Sequence, residues 1–125
     1  MGILKVGLTF DSAAGAIATD ALAMALTDSL STTTPNVGIS RMTALVASPT
    51  NILTAVEAPL ATYVYIKNTD ATNVVVVKTD AAISVMDLHP EEFAFMPLKG
   101  GVGLEVQAAG DDCVVEYAFW TKETT

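Results

Sequence analysis

The sequence predicts an all-β fold, a single β-sandwich of about eight strands, and three observations lead there. Short runs of β-branched and aromatic residues recur roughly every 8–12 residues. Clusters of Asn, Asp, Gly and Pro separate those runs. Charge is sparse: apolar residues make up 51% of the chain and charged ones 16%. At 125 residues the chain fits one domain, residues 1–125, with no internal repeat and no linker. Size scaling lets such a chain bury roughly two-thirds of its unfolded surface, enough for a core without disulfides or a structural metal.

The first stretch has two readings. Ile3, Leu4, Val6, Leu8 and Phe10 are apolar. Residues 3–10 are either the first strand of the sandwich or, within residues 1–18, an extended arm that adds a strand to a partner's sheet edge. From Asp20 to Leu30, Leu22, Met24 and Leu26 alternate, whereas the intervening alanines favour a helix that Asp20 would cap. The Ser/Thr-rich stretch from Ser29 to Thr34 is poor helix material and tips the reading to strand. Gly38 to Ser48 reads as a strand between Pro35-Asn36 and Ser48-Pro49, and Ile52-Leu53 as a short bridge before Glu57-Ala58-Pro59.

The second half is clearer. Leu60, Thr62, Val64 and Ile66 alternate with Ala61, Tyr63, Tyr65 and Lys67, the period of a half-buried strand. Asn68-Thr69-Asp70-Ala71-Thr72-Asn73 supplies turn chemistry, and Val74 to Val77 follow as an apolar strand, so the two strands read as a hairpin. Ile83 to Met86 is a short strand after the break at Thr79-Asp80-Ala81. Asp87 to Glu91 turns at Pro90, and Phe93 to Met96 forms a strand that Pro97 ends. Lys99-Gly100-Gly101 turns. Val102, Leu104, Val106 and Ala108 alternate with Gly103, Glu105 and Gln107, and after Ala109-Gly110-Asp111-Asp112 the closing strand runs from Cys113 to Thr121. A jelly-roll arrangement follows as the expectation, because doubled sheets manage exposed edges.

Composition excludes several functions. A net charge of −8, with Lys5, Arg41, Lys67, Lys78, Lys99 and Lys122 scattered, argues against nucleic acid and against anionic membrane surfaces. Gly15-Ala16-Ile17-Ala18 resembles a signal-peptidase site only faintly, since Asp11 interrupts the stretch that should be apolar. Val6 stands where a myristoylation signal requires Ser or Thr. The lone Cys113, in Cys113-Val114-Val115, reads as a buried small hydrophobe in a protein that needs no disulfide, consistent with synthesis in a cytoplasm.

No catalytic constellation emerges, so the chain is expected not to be an enzyme and to carry no cofactor. His89, the one histidine, sits in the turn Leu88-His89-Pro90-Glu91 without a nucleophile elbow. Glu91-Glu92 and Asp111-Asp112 are neighbours that read as solvated turns rather than carboxylates converging on one bond. Asn68 to Asn73 alternates oxygens but lacks the Gly and closing Glu of a calcium loop. One Cys and one His cannot complete a zinc site, and Gly100-Gly101-Val102-Gly103 is a hairpin turn rather than a phosphate loop. The aromatics are more telling. Tyr63, Tyr65, Phe93, Phe95, Tyr117, Phe119 and Trp120 all lie in strands, with Tyr117 and Phe119 on one face and Trp120 on the other. Trp120 either caps the core or meets a partner.

Three segments carry a resemblance: Tyr65-Ile66-Lys67-Asn68-Thr69-Asp70, Leu88-His89-Pro90-Glu91-Glu92-Phe93-Ala94-Phe95-Met96-Pro97-Leu98, and Val115-Glu116-Tyr117. Over about residues 60–120 the chain resembles the small jelly-roll virion structural proteins of tailed bacteriophages, the capsid decoration or cement proteins. Glu91 departs from that pattern, which has Gly there. The resemblance implies a virion protein made in the host cytoplasm, often trimeric, bound to the major capsid protein or other virion proteins and stabilising the head by bridging capsid subunits. The alternative is a carbohydrate- or receptor-binding sandwich of a phage tail or cell surface, which would expose Trp120 beside Tyr63 or Tyr65. A cupin enzyme, another jelly roll, would need several histidines.

Overall fold

The computed structural model describes residues 2–12, 22–32, 39–53 and 62–122, and every regular element in them is a strand. The strands are β1 (Gly2–Ser12), β2 (Leu22–Thr32), β3 (Ser40–Ala44), β4 (Thr50–Leu53), β5 (Thr62–Asn68), β6 (Val75–Thr79), β7 (Ser84–Leu88), β8 (Phe93–Leu98), β9 (Leu104–Ala108) and β10 (Cys113–Thr121). Pro35-Asn36, Glu57-Ala58-Pro59 and residues 13–18 of the candidate arm lie outside the described residues.

The strands form three antiparallel sheets. One has the order β3-β10-β5-β8, the second β4-β9-β6-β7, and the third is the hairpin β1-β2. The pairs β3–β10, β4–β9, β5–β8 and β6–β7 nest inside one another around the connection between β6 and β7. One apolar cluster draws on both four-stranded sheets. Ala44, Val64, Ile66 and Val115 come from the first, and Leu53, Val75, Val77, Leu104 and Val106 from the second. The alternation in β5 shows the logic: Thr62, Val64, Ile66 and Asn68 are buried, whereas Tyr63, Tyr65 and Lys67 are half-exposed on the other face.

Several expectations need correction. The strands flanking Asn68 to Asn73 are not a hairpin: β5 pairs with β10 and β8, and β6 with β9 and β7. The intervening segment is a corner between sheets, fixed by side-chain hydrogen bonds. The buried Asn68 donates Nδ2 to the carbonyls of Asn73 at 2.8 Å and Leu88 at 2.9 Å, and its Oδ1 accepts from the Asp70 N–H at 3.0 Å. The Asp70 carboxylate in turn accepts from the N–H of Thr72 at 2.9 Å and of Asn73 at 2.6 Å. Pro97 does not end β8 but lies within it, opposite Tyr63. Its missing donor is tolerated because β8 is an edge strand. Among the described residues of the strand expected over Gly38 to Ser48, Ser40–Ala44 is strand, Gly38 lying outside them, and the alternating run from Val102 becomes a strand only at Leu104. Ile52-Leu53 belongs to a full strand, β4, whereas the strand reading favoured for Asp20 to Leu30 holds over Leu22–Thr32.

At His89-Pro90-Glu91-Glu92 the Glu92 N–H donates to the His89 carbonyl at 3.0 Å, and Glu91 has φ 65°. Proline followed by a positive φ is the type II turn, whose third position favours Gly. The Glu at this position therefore adopts the conformation a glycine would take, at a steric cost. Gly101, at φ 81°, fills the corresponding need in the turn before β9.

Candidate interaction surface

The surface that sets this chain apart is the outer face of the β3-β10-β5-β8 sheet together with the hairpin beside it. Strand register places the outward residues in rows. Arg41, Glu116, Lys67 and Phe93 form one row across all four strands; Ala118, Tyr65 and Phe95 form the next; Trp120, Tyr63 and Pro97 form the third. Tyr63 and Phe95 stack with ring centroids 5.9 Å apart and planes 12° apart, and Phe95 meets Trp120 at 6.5 Å and 50°. The Lys122 Nζ lies 4.9 Å above the Tyr63 ring, a cation–π contact. From the second row the Tyr65 hydroxyl donates to Glu116 Oε1 of the first at 2.9 Å, and within the first row Arg41 Nη2 stands 3.6 Å from Glu116 Oε2. Burial pushes the Tyr65 phenol up to about 12, and the hydrogen bond to the Glu116 carboxylate adds to the shift.

The hairpin has two chemically distinct faces. Its register pairs Leu4 with Leu30, Val6 with Asp28 and Leu8 with Leu26, so these six share a face that is apolar except for Asp28. Ile3, Lys5, Gly7 and Thr9 alternate onto the other face. Thr32, at the base of β2, is buried and bridges to Lys122 just past the end of β10. A cleft of about 310 Å³ separates hairpin from sheet, lined by Leu4 to Gly7 on one side and by Ile39, Tyr65, Phe93, Phe95 and Trp120 on the other. A second cleft, of about 210 Å³, has Val6, Leu8, Leu26, Asp28 and Leu30 around Phe95. Ala118 is fully buried although it points to this outer face, so the rings and the hairpin around it exclude water. Coverage fails further along: Leu8 is 37% exposed and Leu26 56%.

The other singled-out residues are not brought together. His89 stays in its turn, exposed, with Nδ1 3.3 Å from Glu92 Oε1, and that same carboxylate oxygen accepts the His89 N–H at 2.7 Å. Glu91 and Glu92 are both exposed. Asp70, Asp111 and Asp112 surround an open depression with Asn73 and Gly110. Asp112 is spent on the Val46 N–H at 3.0 Å and Asp70 on its turn, and Gly110 passes so close to Asn73 that a Cβ would sit 2.6 Å from its Oδ1. Among the described residues no group of three or more His, Cys, Asp or Glu is arranged to hold a metal ion. Cys113 is buried, its thiol 3.2 Å from the Asp111 carbonyl, and burial followed by the nearby Asp70, Asp111 and Asp112 charges raises its pKa. No helix among the described residues is long and apolar enough to cross a membrane.

Sequence reasoning places Trp120 opposite Tyr117 and Phe119, and the structure does the same: Tyr117 and Phe119 pack against the core, and Trp120 lines the cleft. It misses the partnership of Trp120 with Leu4 and Val6, because no local pattern reports a contact between residues more than a hundred positions apart. Comparison of the chain with protein-family models, with curated proteins and with solved structures finds no match.

Proposed function

We propose that this chain is a non-enzymatic virion structural protein, a decoration protein that stabilises a bacteriophage head by bridging capsid subunits, built on a jelly-roll β-sandwich. The fold reading rests on the nested strand pairs. An eight-strand antiparallel ribbon whose ends pair first and whose centre pairs last, wound onto itself, gives two four-stranded sheets with the orders seen for β3 to β10. The observation that carries the function is the hairpin: a two-stranded sheet of 11-residue strands, with an apolar face that its own body covers only in part. An isolated two-stranded hairpin is marginal in water. Its remaining apolar face calls for another protein surface. Repetition of such contacts by symmetry lets many weak junctions hold a shell.

Adding the purified protein to heads that lack it tests the reading. The protein is expected to bind at saturable, symmetry-related sites and to raise the temperature at which heads release their DNA. Absence of binding at micromolar concentration contradicts the assignment.

The glycan-binding reading has one observation in its favour, the strip of Tyr63, Phe95 and Trp120. A sugar would need that strip open to solvent, whereas the hairpin stands over it. Specific hits on a glycan array would reverse the order of the two readings.

A further inference from the structure

We infer that the open edge of β8 takes an extended segment of a partner protein as a fifth strand of its sheet, a segment alternately apolar and carrying Lys or Arg. The inference rests on the reading that the hairpin's uncovered apolar face awaits another protein, and it names the chemistry of that partner.

The backbone defines the edge. β8 ends the order β3-β10-β5-β8, and among the described residues no strand pairs its outer side. The Asn68 N–H donates to the Glu92 carbonyl at 3.0 Å, in register with the β5–β8 pairs. Antiparallel strands bond through alternate residues, so Ala94 and Met96 turn their backbone groups to β5. Phe93 and Phe95 turn theirs to the open side. Pro97 offers a carbonyl there but no N–H, so an added strand pairs chiefly along Phe93 to Phe95.

The hairpin roofs that edge. Continuing the β3–β10 register by one residue sets Ile39 level with Ala118, Tyr65 and Phe95. Leu4 to Gly7 lie over this row, in the cleft that Ile39 and Phe95 also line. The hairpin therefore crosses the sheet from β3 to β8. Three strand spacings of about 4.8 Å, and the four residue steps from Leu4 to Leu8 at about 3.4 Å, both come to roughly 14 Å. By the Leu8–Leu26 row the one sheet residue lining the hairpin's cleft is Phe95 of the edge strand. The paired strands run four rows further, to Ser12 and Leu22. They overhang the place of a fifth strand, about 4.8 Å beyond β8. Leu8 and Leu26 are 37% and 56% exposed because the sheet ends beneath them, and an added strand would cover both.

Charge names the segment. The groove on the inner side of the same edge, between β8 and β7, has Met86 and Ala94 on its floor and Asp87, Glu91 and Glu92 around it. None of its lining residues is a Lys or Arg. Lys67, beside Phe93 in its row, stands on the outer face, and His89 is engaged with Glu92. Successive side chains of an added strand alternate between these two surroundings. Those turned outward lie under Leu8 and Leu26 and beside Phe95, which calls for apolar residues. Those turned inward meet the carboxylates, which calls for a cation at the Phe93 end.

NMR on the isotope-labelled full-length chain tests the inference, with the blocked peptide Lys-Val-Thr-Val-Thr-Val-Lys as probe. Lysines at both ends let it meet the acidic groove in either strand direction. The amides of Phe93 and Phe95 are expected to shift and to gain exchange protection at peptide concentrations up to about 1 mM. Glu in place of both lysines weakens binding about 10-fold. N-methylating the valine amides in one analogue and the threonine amides in another abolishes binding in one and spares it in the other, because a strand pairs through one edge. The valine analogue fails for an antiparallel strand and the threonine analogue for a parallel one. Leu26→Asp weakens binding about 10-fold with the circular dichroism spectrum unchanged, and Glu91→Lys about 5-fold. Asp111→Lys, in the separate acidic depression, leaves it unchanged.

Unperturbed amides at Phe93 and Phe95 overturn the inference, as does equal loss with both methylated analogues. Equal responses to Glu91→Lys and Asp111→Lys overturn it too, since they would mean unspecific attraction to an acidic chain. So does a dimer of the chain alone that protects the same two amides, because a second copy would then occupy the edge. Capture of the peptide by a chain that ignores phage heads upholds the inference and removes only the capsid assignment. Binding to heads with the Phe93 and Phe95 amides unprotected removes the inference and leaves that assignment standing.

Discussion

The two four-stranded sheets and the β1–β2 hairpin both contain amphipathic strands, and they differ in where those strands find their cover. In the sheets, Val64, Ile66, Val75, Val77 and Val106 are wholly buried against one another. Their inward apolar faces meet each other within the same chain, although Val85, Phe93 and Val114 remain exposed on the outside. In the hairpin the apolar face runs from Leu4 and Leu30, half-buried near Trp120 and Phe95, to Leu8 and Leu26, which are 37% and 56% exposed. The contrast shows how one sequence separates folding from assembly. Residues matched inside the chain supply stability, and residues left half-matched are available to a neighbour.

Six substitutions sharpen that contrast, beginning with the pair expected to differ most. Leu104, 1% exposed in the core, is expected to cost roughly 2–5 kcal/mol when changed to Ala, read as a lowered urea midpoint. Leu8→Ala in dilute solution should cost under about 1 kcal/mol, because the side chain is only partly covered. Equal costs at the two positions would erase the distinction between them.

Asn68→Ala probes the corner that carries the chain from one sheet to the other. It strips the carbonyls of Asn73 and Leu88 and the N–H of Asp70 of their partner, with an expected loss of about 2–3 kcal/mol. A loss below roughly 0.5 kcal/mol on the same urea scale would mean that other groups fix the corner.

Ala82, at φ 62° in the turn between β6 and β7, adopts the left-handed conformation at a cost that Gly avoids. Ala82→Gly should therefore raise stability by about 0.5–1 kcal/mol after the added unfolded-state entropy is offset. A fall in midpoint would contradict the backbone assignment there.

The smallest effects are on pH. The N–H groups of Thr72 and Asn73 hold Asp70 below its ordinary carboxylate value. Its contribution is in place above the unfolded pKa, near ~4, and is lost as pH falls through the lowered folded value. Asp70→Asn should flatten the acid limb of the stability profile. At the alkaline end Tyr65 works in the opposite sense. Its folded pKa is raised to about 12, so its contribution holds below the unfolded value near ~10 and fades between there and 12. Tyr65→Phe should remove the late-titrating phenol from the ultraviolet titration. A phenol count unchanged near pH ~12 would place the shift on another tyrosine.

Much of the strand order was legible in the sequence, for reasons that particular segments make clear. Period-2 alternation identified β5 and β9, and the Ala109 to Asp112 turn bounded β10 at Cys113. What alternation does not encode is the partner of a strand. The Asn/Asp-rich segment after β5 looks like a hairpin turn, yet its side chains build a corner. The β5–β10 and β5–β8 pairings depend on contacts 26 or more residues away, which no local pattern reports. Pro97 misled because its rule concerns central strands, and edge position is a tertiary property. Of the interaction surface, the apolar alternation of residues 3–10 and the outward Trp120 were readable; their meeting across the cleft was not.

Hydrogen exchange measured as a function of protein concentration tests the central separation most directly. In dilute solution the amides of residues 2–12 and 22–32 should exchange faster than those of β5 and β9, and they should gain protection as the concentration rises while β5 and β9 stay unchanged. Hairpin amides as protected as those of β5 at every concentration would contradict the account, because the hairpin would then complete its burial within a single chain.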